Sequence, residues 1–279
     1  MFEDLTPEAR AAEVLFLRAQ SPHSTIVLLE GDSDVRLFGH LLDVDISNLV
    51  NCFGKENVFL TIQQVEQAQI AGVLAIVDAD FSRILGVPSV SPNVVLSDFH
   101  DFEVVLLNSQ ALDRLLTEDG SHAKLSKLKK PVLEILLEAC IPLGCLRLYS
   151  HQTASNLKFK GLNYRHFGRK LQIDTDATIR EVFDHSNVHK GHEEAKAFIQ
   201  NLPLSTIDAK QLVCGHDLIA ALGVALQSMI GSRKAVHCAV PELESKLRLG
   251  FSQPDFSATR TYADIKTWEA RNPPFRCVH

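Results

Sequence analysis

Long apolar runs are missing from this 279-residue sequence. The longest, such as Val73–Val77 and residues 218–226, are far shorter than the roughly 20 residues that a membrane-spanning helix needs. The first residues include Glu3, Asp4 and Glu8, whereas a secretory signal peptide begins with basic and then apolar residues. The six cysteines are scattered, without the dense pattern of a secreted disulfide scaffold. These absences predict a cytoplasmic protein without a membrane segment.

Several catalytic signatures are also missing. The chain has no P-loop, no G-x-G-x-x-G and no G-x-S-x-G, so nothing marks it as an ATPase, a dinucleotide enzyme or an α/β-hydrolase. Cys140 and Cys145 form a C-x₄-C pair without a second pair, and their helical surroundings favour buried thiols over a zinc site. His185, His189 and His192 likewise lack a matching Cys or carboxylate arrangement.

Charge is distributed unevenly along the chain. The net charge is −6, but residues 1–120 contain six Lys or Arg against nineteen Asp or Glu. Residues 121–170 contain ten Lys or Arg against two acids. An acidic first third followed by a basic stretch suits a cation site beside a surface for polyanions. Two solvated faces without function remain the alternative.

The first 110 residues read as an α/β unit. Continuously apolar runs rich in β-branched residues, such as Thr25–Leu29, are typical of strands that are buried on both faces. We predict helices over 6–20 (with Thr6 as N-cap), 32–42 and 57–70, strands over 25–29, 48–53, 72–77 and 93–96, and a loop over 81–92. This alternation predicts a parallel, Rossmann-like sheet flanked by helices.

Past residue 100 the pattern is mostly helical. We predict helices over 103–116, 124–140, 144–155, 178–185, 193–200, 216–229 and 262–271, with Pro131 interrupting or restarting the second. The predicted organisation is therefore an α/β core over residues 1–110 and a helical elaboration over 111–279 that carries a basic substrate or partner surface.

Acidic residues follow two of the predicted strands. Glu30 ends the first strand, with Asp34 four residues later, and Asp78 and Asp80 end the third. Ligands of open α/β sheets bind outside the carboxyl ends of the strands, where these side chains converge. If the strand continues, Asp78 and Asp80 point to the same side. Converging carboxylates repel one another unless a cation lies between them, and oxygen ligands suit Mg²⁺ or Mn²⁺.

Each of these acids also has a purely structural interpretation. An Asp or Glu after a strand is common as a helix cap, and Asp32 or Ser33 could cap the helix that begins there. The ordered set is more specific than any single acid: an apolar strand, then E-G-D-x-D, a helix, a strand with a glycine, a helix, and an apolar strand with D-x-D.

This ordered set resembles the TOPRIM domain, the metal-binding module of topoisomerases, primases and the overcoming-lysogenization-defect nucleases. The matching segments are LLEGDSDVRLF at 28–38, NCFGKENV at 51–58 and AIVDADF at 75–81. SDFHDFEVVLLN at 97–108 is similar to the segment in which the nucleases have a further acidic ligand. FKGLNYRHFGRKL at 159–171 and VCGHDLIAAL at 213–222 resemble segments of the small TOPRIM effectors of the PARIS anti-phage defence system.

The resemblance implies a divalent-metal-dependent nuclease that uses Mg²⁺ or Mn²⁺. It implies that Glu30 is the catalytic acid and that Glu30, Asp34, Asp78, Asp80 and Glu103 hold metal. Effectors of this type are held inactive by an ABC-type ATPase and cleave host tRNA after release, and a homodimer is the expected active form. Several relatives have lysine in a G-K-D-L motif, whereas this chain has His216, a candidate catalytic residue that could carry charge or act as acid or base.

A basic stretch provides candidate contacts to nucleic acid. Residues 158–170 contain no acid and interleave cations with aromatic rings, which suits phosphate contacts and base stacking. The candidate binding residues are Lys158, Lys160, Tyr164, Arg165, Arg169 and Lys170. A second cluster comprises Lys124, Lys127, Lys129 and Lys130. The alternative is a set of core aromatics beside solvated lysines.

Two other functions stay open at the level of sequence. One is a TOPRIM nuclease or nickase that acts on DNA. The other is a non-catalytic module that binds metal or nucleotide and docks on an ATPase. All five candidate acids are present, which favours catalysis over a module that only binds.

Overall fold

The computed structural model describes residues 6–162, 171 and 174–278. The chain forms two compact units. Unit 1 comprises Met1–Ala79, Val87–Asp98 and Ser252–His279, and unit 2 comprises Asp80–Gly86 and Phe99–Phe251. The predicted division at residue 110 concerns domains that follow one another along the chain, whereas each unit combines separate segments. The predicted division therefore stays a prediction.

Unit 1 contains a parallel sheet, as the sequence predicts. The four strands found in the described residues are β1 Thr25–Leu29, β2 Ser47–Asn51, β3 Val73–Val77 and β4 Val94–Leu96. Their order is β2-β1-β3-β4, and every pair is parallel. All residues of β1 and β3 are buried, which explains their continuously apolar sequences.

The strand order reverses between β1 and β3. From β1 the chain moves to β2 on one side, and from β3 it moves to β4 on the other side. Residues at the carboxyl ends lie in register, with Leu29 opposite both Asn51 and Ile76. A reversal of this kind leaves a crevice outside the carboxyl ends of the two central strands, where α/β proteins bind ligands.

Helices make up most of the remaining described residues. In chain order they are α1 Pro7–Gln20, α2 Asp32–Phe38, α3 Lys55–Gln67, α4 Ser82–Leu85, α5 Phe102–Leu107, α6 Gln110–Asp119, α7 His122–Leu125, α8 Val132–Thr153, α9 Thr175–Ser186, α10 His192–Asn201, α11 Ala209–Leu212, α12 Gly215–Ser228, α13 Val240–Gly250, α14 Gln253–Ser257 and α15 Arg260–Arg271. A 3₁₀ turn spans Ala235–Cys238. Among the described residues, no helix is both long enough and apolar enough to cross a membrane.

The core of unit 1 lies between the sheet and helices α1 and α3. Thr6 caps α1 as predicted, since its hydroxyl oxygen accepts a hydrogen bond from the N–H of Ala9 at 3.4 Å. Val14 of α1 and Val58 of α3 are completely buried, and they share a cluster with apolar side chains of β1 and β3. In α1 the sheet-facing side chains are Val14 and Leu17, whereas Leu15 and Phe16 are exposed, so the apolar spacing predicts the helix but not its buried face.

The last helices of the chain belong to unit 1. The Trp268 indole N–H donates to the side-chain oxygen of Asn93 at 2.9 Å. Glu269 is buried, and its carboxylate accepts the N–H groups of Cys277 and Val278 at 2.8 and 2.9 Å. Because these hydrogen bonds stabilise the buried carboxylate and hold the chain end in place, Glu269 has a structural role.

Two predicted helix boundaries are wrong in unit 2. The helices predicted over 124–140 and 144–155 are instead the short α7 and the continuous α8, which starts after Pro131 and runs through Pro142 and Gly144. A Cβ at Gly144 would lie 2.8 Å from the carbonyl oxygen of Leu212, so the glycine permits close packing of α11 rather than ending a helix.

Three other predicted elements also differ from the structure. The helix predicted over 103–116 is divided into α5 and α6, because the Ser109 hydroxyl accepts the N–H of Ala111 and caps a new helix. The helix predicted over 32–42 ends at Phe38. The loop predicted over 81–92 contains the single turn α4.

Candidate functional site

Glu30 lies at the carboxyl end of β1. It is half-buried and accepts a hydrogen bond from the residue that follows the neighbouring strand, β3. Its Oε1 atom lies 2.8 Å from the main-chain nitrogen of Asp78, which follows β3. The two residues are 48 positions apart in sequence and meet at the point where the strand order reverses. The sequence-based expectation that Glu30 and Asp78 converge is confirmed.

Asp34 lies in the first turn of α2 and points back toward β1. Its Oδ2 accepts the N–H of Gly31 at 2.9 Å. Gly31 occupies the N-cap position, so the expectation that Asp32 or Ser33 caps this helix is wrong. Asp32 instead accepts a hydrogen bond from the Asn51 side chain at 2.7 Å. Asp34 therefore helps to cap the N-terminus of α2, which is the structural interpretation of such acids. The same hydrogen bond places one of its oxygens at the end of β1.

The motif after β2 contributes a tight backbone turn and a cation. Gly54 has a φ of 125°, a conformation that side chains rarely adopt, and its N–H donates to the carbonyl oxygen of Glu30 at 2.8 Å. Lys55, the next residue, donates from Nζ to the carbonyl oxygen of Asp78 at 2.5 Å. A lysine ammonium thus lies at the same edge of the sheet as Glu30.

The argument that Asp78 and Asp80 continue a strand is wrong. β3 ends at Val77, and the N–H of Ala79 donates to the Ser97 hydroxyl at 2.8 Å. Asp80 has a φ of 45°, so the backbone turns there and strand alternation does not apply. Asp80 belongs to unit 2, where its N–H donates to the carbonyl oxygen of His100 at 2.7 Å.

The donor set in unit 1 fits a hard divalent cation. Glu30 and Asp78 directly follow β1 and β3, and Asp34 lies in the first turn of α2. Mg²⁺ and Mn²⁺ prefer carboxylate oxygens such as these. A carboxylate has about four acceptor positions, so a main-chain donor on one oxygen is compatible with a cation at the other. The residues therefore suit the ion that the resemblance implies.

Unit 2 contains Glu103 and His216, together with an acid that the sequence did not indicate. His216 Nδ1 lies 2.7 Å from Oε1 of Glu244, and one ligand atom from each of the three side chains lies within 4.8 Å of the others. The hydrogen bond to Glu244 and the charge of Glu103 raise the pKa of His216 to about 9, against the opposing effect of burial. At neutral pH the imidazole is therefore protonated in the metal-free protein.

Asp101 brings two helix N-termini of unit 2 together. One carboxylate oxygen accepts the N–H of Val104 at 2.9 Å, and the other accepts the N–H of Gly215 at 2.7 Å. Cys214 and His100 lie nearby, but burial raises the pKa of the Cys214 thiol well above its usual value. Because both Asp101 oxygens already accept main-chain N–H groups, this carboxylate has a structural role in the cluster.

A buried ion pair lies directly after His216 in α12. Asp217 is completely buried and forms two hydrogen bonds with Arg147 of α8, at 2.7 and 2.8 Å. The Arg147 guanidinium also stacks on the ring of Phe159, 4.3 Å from its centroid. Phe159 is itself buried, so its ring is not available for the base stacking that the interleaved aromatics suggested.

Only part of the predicted nucleic-acid surface can be located. Lys158 and Lys160 are exposed on either side of Phe159. Their backbone is held by the Ser186 hydroxyl, which accepts the N–H of Lys158 at 2.7 Å, and by the ring of His185, which lies 2.9 Å from the carbonyl oxygen of Lys160. The other members of the set, which are Tyr164, Arg165, Arg169 and Lys170, lie outside the described residues.

Two lysines of the second cluster have structural partners. Lys124 donates to the carbonyl oxygen of Ser228 at 2.8 Å, and Lys130 forms ion pairs with Glu134 and Glu138. Cys140 and Cys145 are buried, as expected, and burial raises the pKa of both thiols, that of Cys145 to about 11.

Comparison with known proteins adds no assignment. No protein-family model matches this chain, and no curated protein is significantly similar to it in sequence. The functional argument therefore depends on the geometry of the two units and on the motifs in the sequence.

Two residues of these clusters were missed by sequence reasoning. Lys55 follows the glycine of the second motif and could have been found from its place at the start of a helix that follows a strand. Glu244 lies in α13, a helix that was not predicted although Leu243 and Leu247 are four residues apart and both are completely buried. No local motif marks Glu244, because its neighbours in space come from α5 and α12.

Proposed function

We propose that this chain is a divalent-metal-dependent nuclease with a TOPRIM-like core, and that its substrate is RNA. The observation that carries the proposal is the hydrogen bond between Glu30 and the main-chain nitrogen of Asp78, which joins two acidic residues at the reversal of strand order. Ligands of parallel α/β sheets bind at this position.

The residues of unit 1 that would hold Mg²⁺ or Mn²⁺ are Glu30, Asp34 and Asp78. The resemblance adds Asp80 and Glu103, which belong to unit 2. When bound, the ion supplies Lewis-acid chemistry, since it neutralises charge on the scissile phosphate and acidifies the attacking hydroxyl group.

The chain's own groups divide the remaining work. The main-chain N–H of Asp78 fixes the orientation of the Glu30 carboxylate, which takes up the proton of the attacking water or ribose 2′-hydroxyl. Lys55 holds a positive charge at the same edge, which favours a phosphate there. His216 belongs to unit 2, where its Nδ1 contacts Glu244, and no step of this proposal is assigned to it.

Support for a nucleic-acid substrate comes from the basic stretch, whereas the choice of RNA comes from the resemblance. Lys158 and Lys160 are exposed on a loop with a fixed backbone, and a chain with a net charge of −6 needs such local cations to bind a polyanion. By resemblance, the proposed substrate is host tRNA, the proposed inhibitor is an ABC-type ATPase, and the proposed active form is a homodimer in the cytoplasm. The proposed biological role is an effector of anti-phage defence.

A cleavage assay on the purified chain tests the enzymatic proposal. The chain is incubated with tRNA or with duplex DNA in Mg²⁺ or Mn²⁺, and the same reactions are run with EDTA and with Glu30→Gln. Glu56→Gln is the matched control, because Glu56 is an exposed acid in the first turn of α3. We expect metal-dependent RNA cleavage by the wild type and by Glu56→Gln, and none by Glu30→Gln. Cleavage of DNA alone would favour the DNA nuclease, and metal binding without cleavage would favour a binding module.

A further inference from the structure

Three side chains with metal-ligating atoms meet inside unit 2, each from a different helix. Glu103 lies in the first turn of α5, His216 at the start of α12 and Glu244 in the middle of α13. One ligand atom of each lies within 4.8 Å of the other two, and His216 Nδ1 is 2.7 Å from Glu244 Oε1. Divalent transition-metal ions bind nitrogen and oxygen ligands at about 2.0–2.2 Å. Ligand atoms at the separations found here can therefore reach one ion after small side-chain rotations.

The backbone brings Glu103 and His216 together through a close contact that only glycine permits. The Asp101 carboxylate caps α5 and also accepts the N–H of Gly215. A Cβ at position 215 would lie 2.3 Å from the Cβ of Glu103 and 2.4 Å from Oδ1 of Asp101. The fold of unit 2 therefore holds the first turns of α5 and α12 against each other.

Glu244 is positioned by the packing of α13. Leu243 and Leu247 on this helix are completely buried, which fixes the direction in which the helix faces. The Glu244 side chain is 14% exposed, whereas that of His216 is 59% exposed. The cluster therefore has a protein-enclosed side that provides the carboxylates and an open side where water can complete a coordination shell.

The chemistry of the three donors selects the class of ion. Two carboxylates provide negative charge, and the imidazole provides a nitrogen that transition-metal ions accept readily. Mg²⁺ prefers an octahedral shell of oxygens and loses its waters reluctantly. The side chain of Arg248 approaches Glu244 only at 3.9 Å, so this contact leaves the oxygen that faces His216 in place.

We propose that Glu103, His216 and Glu244 form a binding site for a divalent transition-metal ion, and that this site binds Mn²⁺ in preference to Mg²⁺. This site goes beyond the proposed nuclease and shares with it only Glu103, which the resemblance also assigns to the nuclease metal. His216 and Glu244 distinguish the two sites. All three ligands belong to unit 2, and binding is measured without any substrate.

Pulsed electron paramagnetic resonance of the Mn²⁺-loaded protein tests the site. The measurement is made on the full chain with Glu30→Gln, which removes the central acid of the unit 1 site. A coordinated imidazole gives a ¹⁴N modulation that carboxylates cannot give. We expect this modulation in the Glu30→Gln background and its loss on adding His216→Asn.

Titrations that follow the signal of free Mn²⁺ provide the second measurement. Glu244→Gln should weaken binding at least about tenfold, because even residues that only support a ligand contribute 10- to 100-fold. Glu242→Gln is the control, because Glu242 is an exposed acid in the first turn of the same helix. Equal concentrations of Mg²⁺ should leave the ¹⁴N modulation in place.

The proposal is overturned if bound Mn²⁺ shows no nitrogen modulation, or if binding is unchanged in Glu244→Gln and in Glu103→Gln. Circular dichroism of each variant reports whether it is folded. If His216→Asn does not fold, the two glutamate variants decide the question through the same modulation and titration. Failure here leaves the Glu30-dependent cleavage assay unaffected, so the two proposals fail separately.

Discussion

The Glu30 carboxylate accepts a hydrogen bond from the main-chain N–H of Asp78, at 2.8 Å, across the two central strands of the sheet. This contact places an acid at the switch in strand order and sets the direction of its carboxylate. The function proposed for the chain depends on this relationship more than on any other. Both the position and the charge of the Glu30 carboxylate should therefore affect RNA cleavage.

Shortening this acid by one methylene, with Glu30→Asp, retains the charge but withdraws the carboxylate from the Asp78 N–H. We expect the rate of RNA cleavage to fall about 100-fold, the usual cost of misplacing a reacting group by about 1 Å. Rates at saturating Mg²⁺ measure this. The control Glu56→Asp makes the same change at an exposed position of α3. Full activity in Glu30→Asp would show that the position of the carboxylate is unimportant.

Lys55→Met removes the ammonium that is bound to the carbonyl oxygen of Asp78. Loss of a hydrogen bond to a charged donor should lower the free energy of unfolding by about 1.5–3 kcal/mol, or less where water replaces the donor. Urea denaturation measures the change, and RNA affinity should fall as well. Lys196→Met is the control, because Lys196 is an exposed lysine paired with Asp176 in unit 2. Equal effects of the two substitutions would contradict a special role for Lys55.

Asp217→Ala breaks the buried pair with Arg147 and leaves a guanidinium without its carboxylate. Because Asp217 is completely buried, we expect the free energy of unfolding to fall by about 3–5 kcal/mol. Thermal and urea unfolding measure it, with the exposed Asp176→Ala as a control that should change little. The stacked Phe159 should become more mobile, which tryptic cleavage near Lys158 would report. A small change in stability would mean that water enters and solvates Arg147.

The stability of the metal-free protein should depend on pH through His216. Its pKa is raised from 6.5 to about 9 in the folded protein, so its contribution is complete below about pH 6.5 and is lost as the pH rises through 9. The difference in unfolding free energy between wild type and His216→Asn should therefore shrink from pH 6 to pH 9. Urea denaturation across this range measures it. A difference that is constant or grows with pH would contradict the ion pair with Glu244.

Much of unit 1 could be predicted from sequence because its signals are local. Thr25–Leu29 was predicted to the residue, since a β-branched apolar run with both faces buried has few other interpretations. The convergence of Glu30 and Asp78 followed from the parallel sheet. Asp80 was misjudged because its left-handed backbone depends on the loop that follows β3, which strand alternation does not describe.

Unit 2 was harder to predict because its geometry depends on packing between distant segments. Gly144 was taken as a helix boundary, yet it lies inside α8 where Leu212 comes close. Glu244 could not be connected with Glu103 and His216, since only the folded arrangement of α5, α12 and α13 brings them together. Phe159 is buried beneath Arg147, a contact that the sequence did not indicate.

RNA cleavage is proposed to depend on Glu30, and expression in bacterial cells is the most direct test of this dependence. The wild type, Glu30→Ala and the control Glu56→Ala are induced with and without the proposed ATPase inhibitor and the proposed phage trigger, and small RNAs are sequenced. We expect growth arrest and tRNA cuts with the released wild type and with Glu56→Ala, and neither with Glu30→Ala. Intact RNA and equal growth for all three proteins, under a trigger that releases the chain, would contradict it.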